Sequence, residues 1–228
     1  MTIEDNIRQA VAYSRYLLMA RPDRVAVLGL YIKSDGFAVV LMDPTRVYRT
    51  AHIPWEHALG KVLLLRVLYY VVCPPELMVD PTIRRDDHGG FQITINGKVH
   101  TNYRLSSIPT FGHWTTILKP EAPGPVFKFQ YLRPAELIPE GIILSHVHCN
   151  GDIPGVIRIN RYGWVRRTDG DIVACPTGDQ RQKVCLELKD TGDLFMGINT
   201  PRDALIVIWD LLEGDTFCTL NFAADTQN

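Results

Sequence analysis

The chain has 228 residues, 46% hydrophobic and 21% charged, a balance that excludes disorder and supplies a core without disulfide or metal staples. Its 24 Lys and Arg against 25 Asp and Glu leave a net charge of -1 and a pI near 6.6, which excludes the broad basic face of a nucleic-acid binder.

Ile3, Ile7, Ala10, Val11, Leu17 and Leu18 recur at helical spacing and predict a first helix near Asp5–Ala20. Arg21-Pro22-Asp23 ends it, because proline cannot continue a helix and disfavours helical geometry in its predecessor. Strands are predicted at Val25–Lys33 and Gly36–Met42 across the tight turn Ser34-Asp35-Gly36, with a third over Thr45–Ala51. A second helix over Glu56–Val72 stops at Cys73-Pro74-Pro75. Leu63, Leu64, Leu65, Val67 and Leu68 make it apolar around much of its surface, which predicts a largely buried helix.

The polar stretch Thr82–Gly90 reads as a domain boundary or exposed loop. Phe91–Ile95 and Val99–Leu105 flank Asn96-Gly97, the signature of a type I′ hairpin. Further strands are predicted at Trp114–Leu118, Val126–Tyr131, Val156–Asn160 and Val184–Leu188, with a helix over Pro139–Val147 between the second and third of them. A last helix fits Pro201–Leu212, with proline in its first turn and Gly214 past its end. The fold class expected is α+β. Residues 1–90 form a mixed sheet with helices, and residues 91–228 form a second unit of an antiparallel sheet plus one helix.

Five cysteines, Cys73, Cys149, Cys175, Cys185 and Cys218, contain no C-x-x-C pair and read as reduced thiols. The opening MTIEDNIRQA has acidic residues and no apolar stretch, so no signal peptide is expected. The apolar run Val62–Val72 is too short to span a bilayer, which takes about 20 residues. An intracellular setting without membrane contact follows as an expectation. His146, His148 and Cys149 are close in sequence, but residues two apart on a helix do not face each other, so no metal site is expected there.

The chemistry concentrates in the second half. Lys128 lies in the apolar run Val126-Phe127-Lys128-Phe129, where a lysine either points to solvent or holds a specific anion. Glu140 opens the pattern Glu140-x-x-Ile143-Leu144-x-x-Val147, on one helical face with those apolar residues. It reads either as that anion or as a first-turn acid favoured by the helix dipole. A strand lysine paired with a helix glutamate beside a strand–turn–strand lid is how a protein kinase positions its nucleotide.

At these residues the chain resembles the fungal-type protein kinase family. Arg24-Val25-Ala26-Val27-Leu28-Gly29-Leu30, after Ala12-Tyr13-Ser14-Arg15, is similar to the strand that follows that family's first helix. Val79-Asp80-Pro81-Thr82-Ile83 resembles a D-P-T-I marker, and Ile108-Pro109-Thr110-Phe111-Gly112-His113-Trp114-Thr115 a glycine loop. Val126-Phe127-Lys128, Glu140-Gly141-Ile142-Ile143-Leu144 and Ile153-Pro154-Gly155-Val156 are similar to its later motifs, in the same order. The resemblance implies a kinase small lobe in which Gly112, Lys128 and Glu140 bind ATP.

The departures are as informative. The loop keeps only Gly112, no H-R-D-x-x-x-x-N follows, and no D-F-G follows the Lys/Glu pair. Arg84-Arg85-Asp86 precedes the glycine loop and is out of order. The expectation is therefore an incomplete lobe that positions ATP weakly, holds no metal and transfers no phosphate by itself. The rival expectation is a non-catalytic interaction module on a kinase-like scaffold. The apolar residues of Ala204–Leu212 suggest an exposed face for a protein partner.

Overall fold

The computed structural model describes residues 3–107, 114–133, 140–153, 156–167, 169–177 and 181–189. Helix α1 (Ile3–Ala20) packs against the hairpin of β1 (Val27–Ile32) and β2 (Gly36–Met42). The hairpin register runs from Val27 opposite Met42 to Ile32 opposite Phe37. Lys33 N–H donates to Gly36 O at 2.8 Å across the turn. β3 (Val47–Arg49) and β4 (Ile53–Pro54) both pair antiparallel with β2. The expected mixed sheet is therefore antiparallel throughout, because β1 and β3 each join β2 through a short turn and β4 continues from β3 along β2.

Helix α2 (Gly60–Val72) is a second correction. It packs chiefly on β1, and only Gly60 is buried. Leu65 is 66% and Val72 77% exposed. A helix apolar on all sides needs neighbours on all sides, and one narrow sheet covers a single stripe of it.

A 3-10 turn (Glu76–Met78) leads to β5 (Ile83–Arg85), which lies inside the polar stretch 82–90 and pairs with β6 (Phe91–Ile95). Asn96 and Gly97 both take positive φ, 51° and 76°, the condition of a type I′ turn into β7 (Lys98–Ser107). β8 (Thr115–Pro120), β9 (Val126–Leu132), α3 (Glu140–Val147), β10 (Ile159–Trp164) and β11 (Gln182–Leu188) follow. The sheet order is β10-β11-β9-β8-β7-β6-β5, with every pair antiparallel. β10 lies later than the predicted Val156–Asn160, because Trp164 pairs with Val184 and packs with Ile157 and Ile159 over β11.

Two apolar layers fix the sheet. On the inner face, Phe127 and Phe129 join Ile83, Phe91, Ile93 and Tyr103. On the outer face, Val126, Val184, Leu186 and Leu188 pack with Leu144 of α3. Among the described residues no helix is long and apolar enough to cross a membrane. The predicted helix Pro201–Leu212, with its apolar face at Ala204–Leu212, lies outside the described residues.

Candidate functional site

Alternation along β9 places Phe127, Phe129 and Tyr131 in the inner core and Lys128 and Gln130 on the face toward α3. The cross-strand neighbours of Lys128 are Ile117 on β8 and Leu186 on β11, both apolar. The ammonium therefore leaves the sheet surface and meets Glu140 on the first turn of α3. Lys128 Nζ donates to Glu140 Oε1 at 2.7 Å and to Oε2 at 2.6 Å. Gln130 Nε2 adds a third donor to Oε2 at 3.1 Å. The side chains are 20% and 34% exposed, so the pair lies between a surface bridge, worth about 0–1 kcal/mol, and a buried one, about 3–5 kcal/mol to break.

The backbone next to Glu140 is also fixed. Gly141 is buried against Tyr162 of β10, and a Cβ there would lie 2.2 Å from the Tyr162 Cγ. Glycine at this position lets α3 approach the sheet closely enough for a lysine to span the gap. Gly112, the third residue expected at the nucleotide, lies outside the described residues, with all of 108–113.

His148 locks the turn after α3. Its Nε2 lies 3.1 Å from Ile157 O, and its Nδ1 accepts from Ile153 N–H at 3.3 Å. Among the described residues no group of His, Cys, Asp and Glu is arranged to hold a metal ion.

Three buried polar clusters went unread in the sequence. Lys183 on β11 pairs with Asp80, their side chains 3% and 0% exposed. Lys183 Nζ also lies 4.3 Å from the Phe129 ring centroid. Asp80 Oδ1 accepts from Thr82 N at 2.8 Å and Thr82 Oγ1 at 2.6 Å. Asp43, buried at the end of β2, takes hydrogen bonds from Thr45, Arg46 and Thr177. Glu187 is held by Arg161 Nε at 2.5 Å and Asn160 Nδ2 at 3.3 Å. The signal that singled out Lys128, a lysine in an apolar strand, applies equally to Lys183 in Gln182-Lys183-Val184-Cys185-Leu186.

His100 is buried on β7 against Phe127, ring centroids 4.8 Å apart, and among the described residues its Nε2 has no hydrogen-bond partner. Burial lowers its pKa from the ordinary 6.5; Lys98 and Arg161 push the same way and Glu187 opposes them. Below about 6.5 the unfolded chain takes up a proton that the folded chain refuses. Stability is therefore expected to be flat above that pH and to decline as pH falls below it, by at most about 1.4 kcal/mol per pH unit from this group. Urea denaturation from pH 8 to pH 5 should show that decline, and His100→Phe should flatten it; an unchanged slope in the variant would assign the decline to other groups.

Compared with protein-family models, curated proteins and solved structures, the chain matches none of them.

Proposed function

We propose that residues from about 91 onward are the nucleotide-positioning half of a kinase-like lobe of the fungal type, and that these 228 residues do not transfer phosphate by themselves. The observation that carries the reading is the Lys128–Glu140 pair, a strand ammonium gripped by both oxygens of a helix carboxylate. Its setting supports the same reading. β7 and β8 flank the loop similar to a glycine loop, and β9, the third strand from there, carries the lysine. The next helix carries the glutamate, and two more strands follow. This is the order in which a kinase presents its phosphate-binding lysine and the glutamate that orients it. Two of the three ammonium N–H donors are spent on Glu140, which leaves one for a phosphate oxygen.

Phosphoryl transfer also needs metal ligands and a residue that orients the acceptor hydroxyl. The chain has neither D-F-G after the pair nor an H-R-D-x-x-x-x-N. On this reading ATP binds weakly, in an intracellular setting. Incubated with labelled ATP, Mg²⁺ and a generic protein substrate, the chain is expected to incorporate no phosphate above background. Incorporation that disappears in Lys128→Met would show that the transfer machinery is present after all.

The exposed apolar residues of α2 favour a second reading, an interaction module that uses the sheet only as scaffold. Absence of any nucleotide binding would leave that reading standing alone.

A further inference from the structure

Arg161 on β10 and Glu187 on β11 stand opposite each other in the sheet register. Both line a hollow of about 360 Å³ between those strands and the β6–β7 turn. They share the inner face with Cys185, whereas Lys128 stands beside Leu186 on the outer face. The volume is at the lower end for a small-molecule site.

The pair is joined in a way that leaves binding groups on both partners. Arg161 Nε donates to Glu187 Oε2 at 2.5 Å, and Asn160 Nδ2 donates to Oε1 at 3.3 Å. Among the described residues these are the hydrogen bonds the two side chains make. The amino groups of the Arg161 fork and lone pairs on both Glu187 oxygens are therefore left over. The Glu187 side chain is 9% exposed and that of Arg161 44%, so the carboxylate belongs to the wall and the guanidinium is reached from solvent. Arg166 and Arg167, beyond the end of β10, donate to the carbonyls of Gly170 at 2.8 Å and Glu76 at 3.2 Å, neither of which lines the hollow. Next to the pair the wall is uncharged. Ile95, Val165 and Cys185 belong to the inner core, and burial pushes the Cys185 thiol up to about 12. Gly163 stands between Arg161 and Val165, and a Cβ built on it would meet no atom within 4 Å.

A charge-matched pair favours a charge-matched ligand. A lone anion is drawn to Arg161 and repelled by Glu187 at nearly the same distance, and a lone cation meets the reverse. An α-amino acid at neutral pH carries a carboxylate and an ammonium on the same carbon. The carboxylate suits the free edge of a guanidinium fork, and the ammonium suits the carboxylate that holds that fork. We propose that this hollow binds a free α-amino acid with an apolar side chain, its carboxylate on Arg161, its ammonium on Glu187 and its side chain over Gly163. The site lies on the face opposite the Lys128–Glu140 pair and does not depend on the reading of that pair.

Phenylalanine is the probe, titrated into the full chain by calorimetry. Its comparisons are 3-phenylpropanoate, which lacks the ammonium, and 2-phenylethylamine, which lacks the carboxylate. Phenylalanine is expected to bind, and each comparison to bind about tenfold more weakly or less. Arg161→Ala and Gly163→Val should each weaken phenylalanine about tenfold or more, the first by removing the fork and the second by filling the open space. Arg104→Ala, which breaks a similar arginine–glutamate pair with Glu121 outside the hollow, should leave the affinity unchanged. Arg161→Ala strands Glu187, so if circular dichroism shows that variant unfolded, Gly163→Val and the comparison of the probes on the wild type decide. No binding of phenylalanine up to about 10 mM, equal binding of either comparison, or an affinity unchanged in folded Gly163→Val would overturn the proposal.

Discussion

Lys183→Met is expected to destabilise the protein by about 3–5 kcal/mol, the cost of stranding a buried charge. Methionine keeps most of the lysine's length and apolar contacts but removes the ammonium. The Asp80 carboxylate, fully buried, then keeps, among the described residues, the Thr82 donors on its other oxygen. The contact of Lys183 with the Phe129 face is lost as well. Asp80→Asn added to Lys183→Met should recover part of the loss, because a neutral amide is less costly to bury than an unpaired carboxylate. Urea denaturation of the two single variants and the double variant measures this as a coupling energy. A loss under about 1 kcal/mol for Lys183→Met would mean that Asp80 finds water or another cation.

Asp43→Ala is expected to cost about 2–4 kcal/mol. Asp43 Oδ1 accepts from Thr45 N at 2.8 Å, Thr45 Oγ1 at 2.7 Å and Arg46 N at 2.9 Å. Its Oδ2 accepts from Thr177 N at 3.2 Å and from the Thr177 hydroxyl. One carboxylate thus closes the turn after β2 and ties it to the segment before β11. Alanine leaves these donors without a common acceptor in a buried setting, where each unsatisfied group carries a desolvation cost. Thr177→Val isolates the long-range half of the arrangement. Coupling between positions 43 and 177 should be about 0.5–3 kcal/mol by double-mutant cycle; simple additivity would show that the two elements do not depend on each other.

What the sequence made legible was local. Asn96-Gly97 demanded a turn because both residues can take positive φ, and the strands it joins follow from that. Alternation around Lys128 and the helical pattern behind Glu140 put the two side chains on facing surfaces. What remained hidden was long-range or comparative. Asp80 and Lys183 are 103 residues apart, and Asp43 and Thr177 are 134, so no local period relates them. The exposure of α2 depends on how much sheet is available to cover it, which its own apolar pattern does not encode. Gly163 would be read from sequence as a bulge or a weak point in a strand, and only the curl of the whole sheet shows the space beside it.

On the proposed reading, Lys128, oriented by Glu140, makes a phosphate-binding group on the outer face of the sheet. Equilibrium binding of ATP to the purified chain, followed by calorimetry in the wild type, Lys128→Met and Glu140→Gln, decides whether it does. The segment that resembles a glycine loop keeps a single glycine, so the expected binding is weak, with a Kd of about 1 mM. Lys128→Met is expected to abolish this binding while circular dichroism stays native, and Glu140→Gln to weaken it severalfold because the ammonium is no longer held. ATP binding that is unchanged in Lys128→Met, or no binding by the wild type at about 10 mM, would contradict the account.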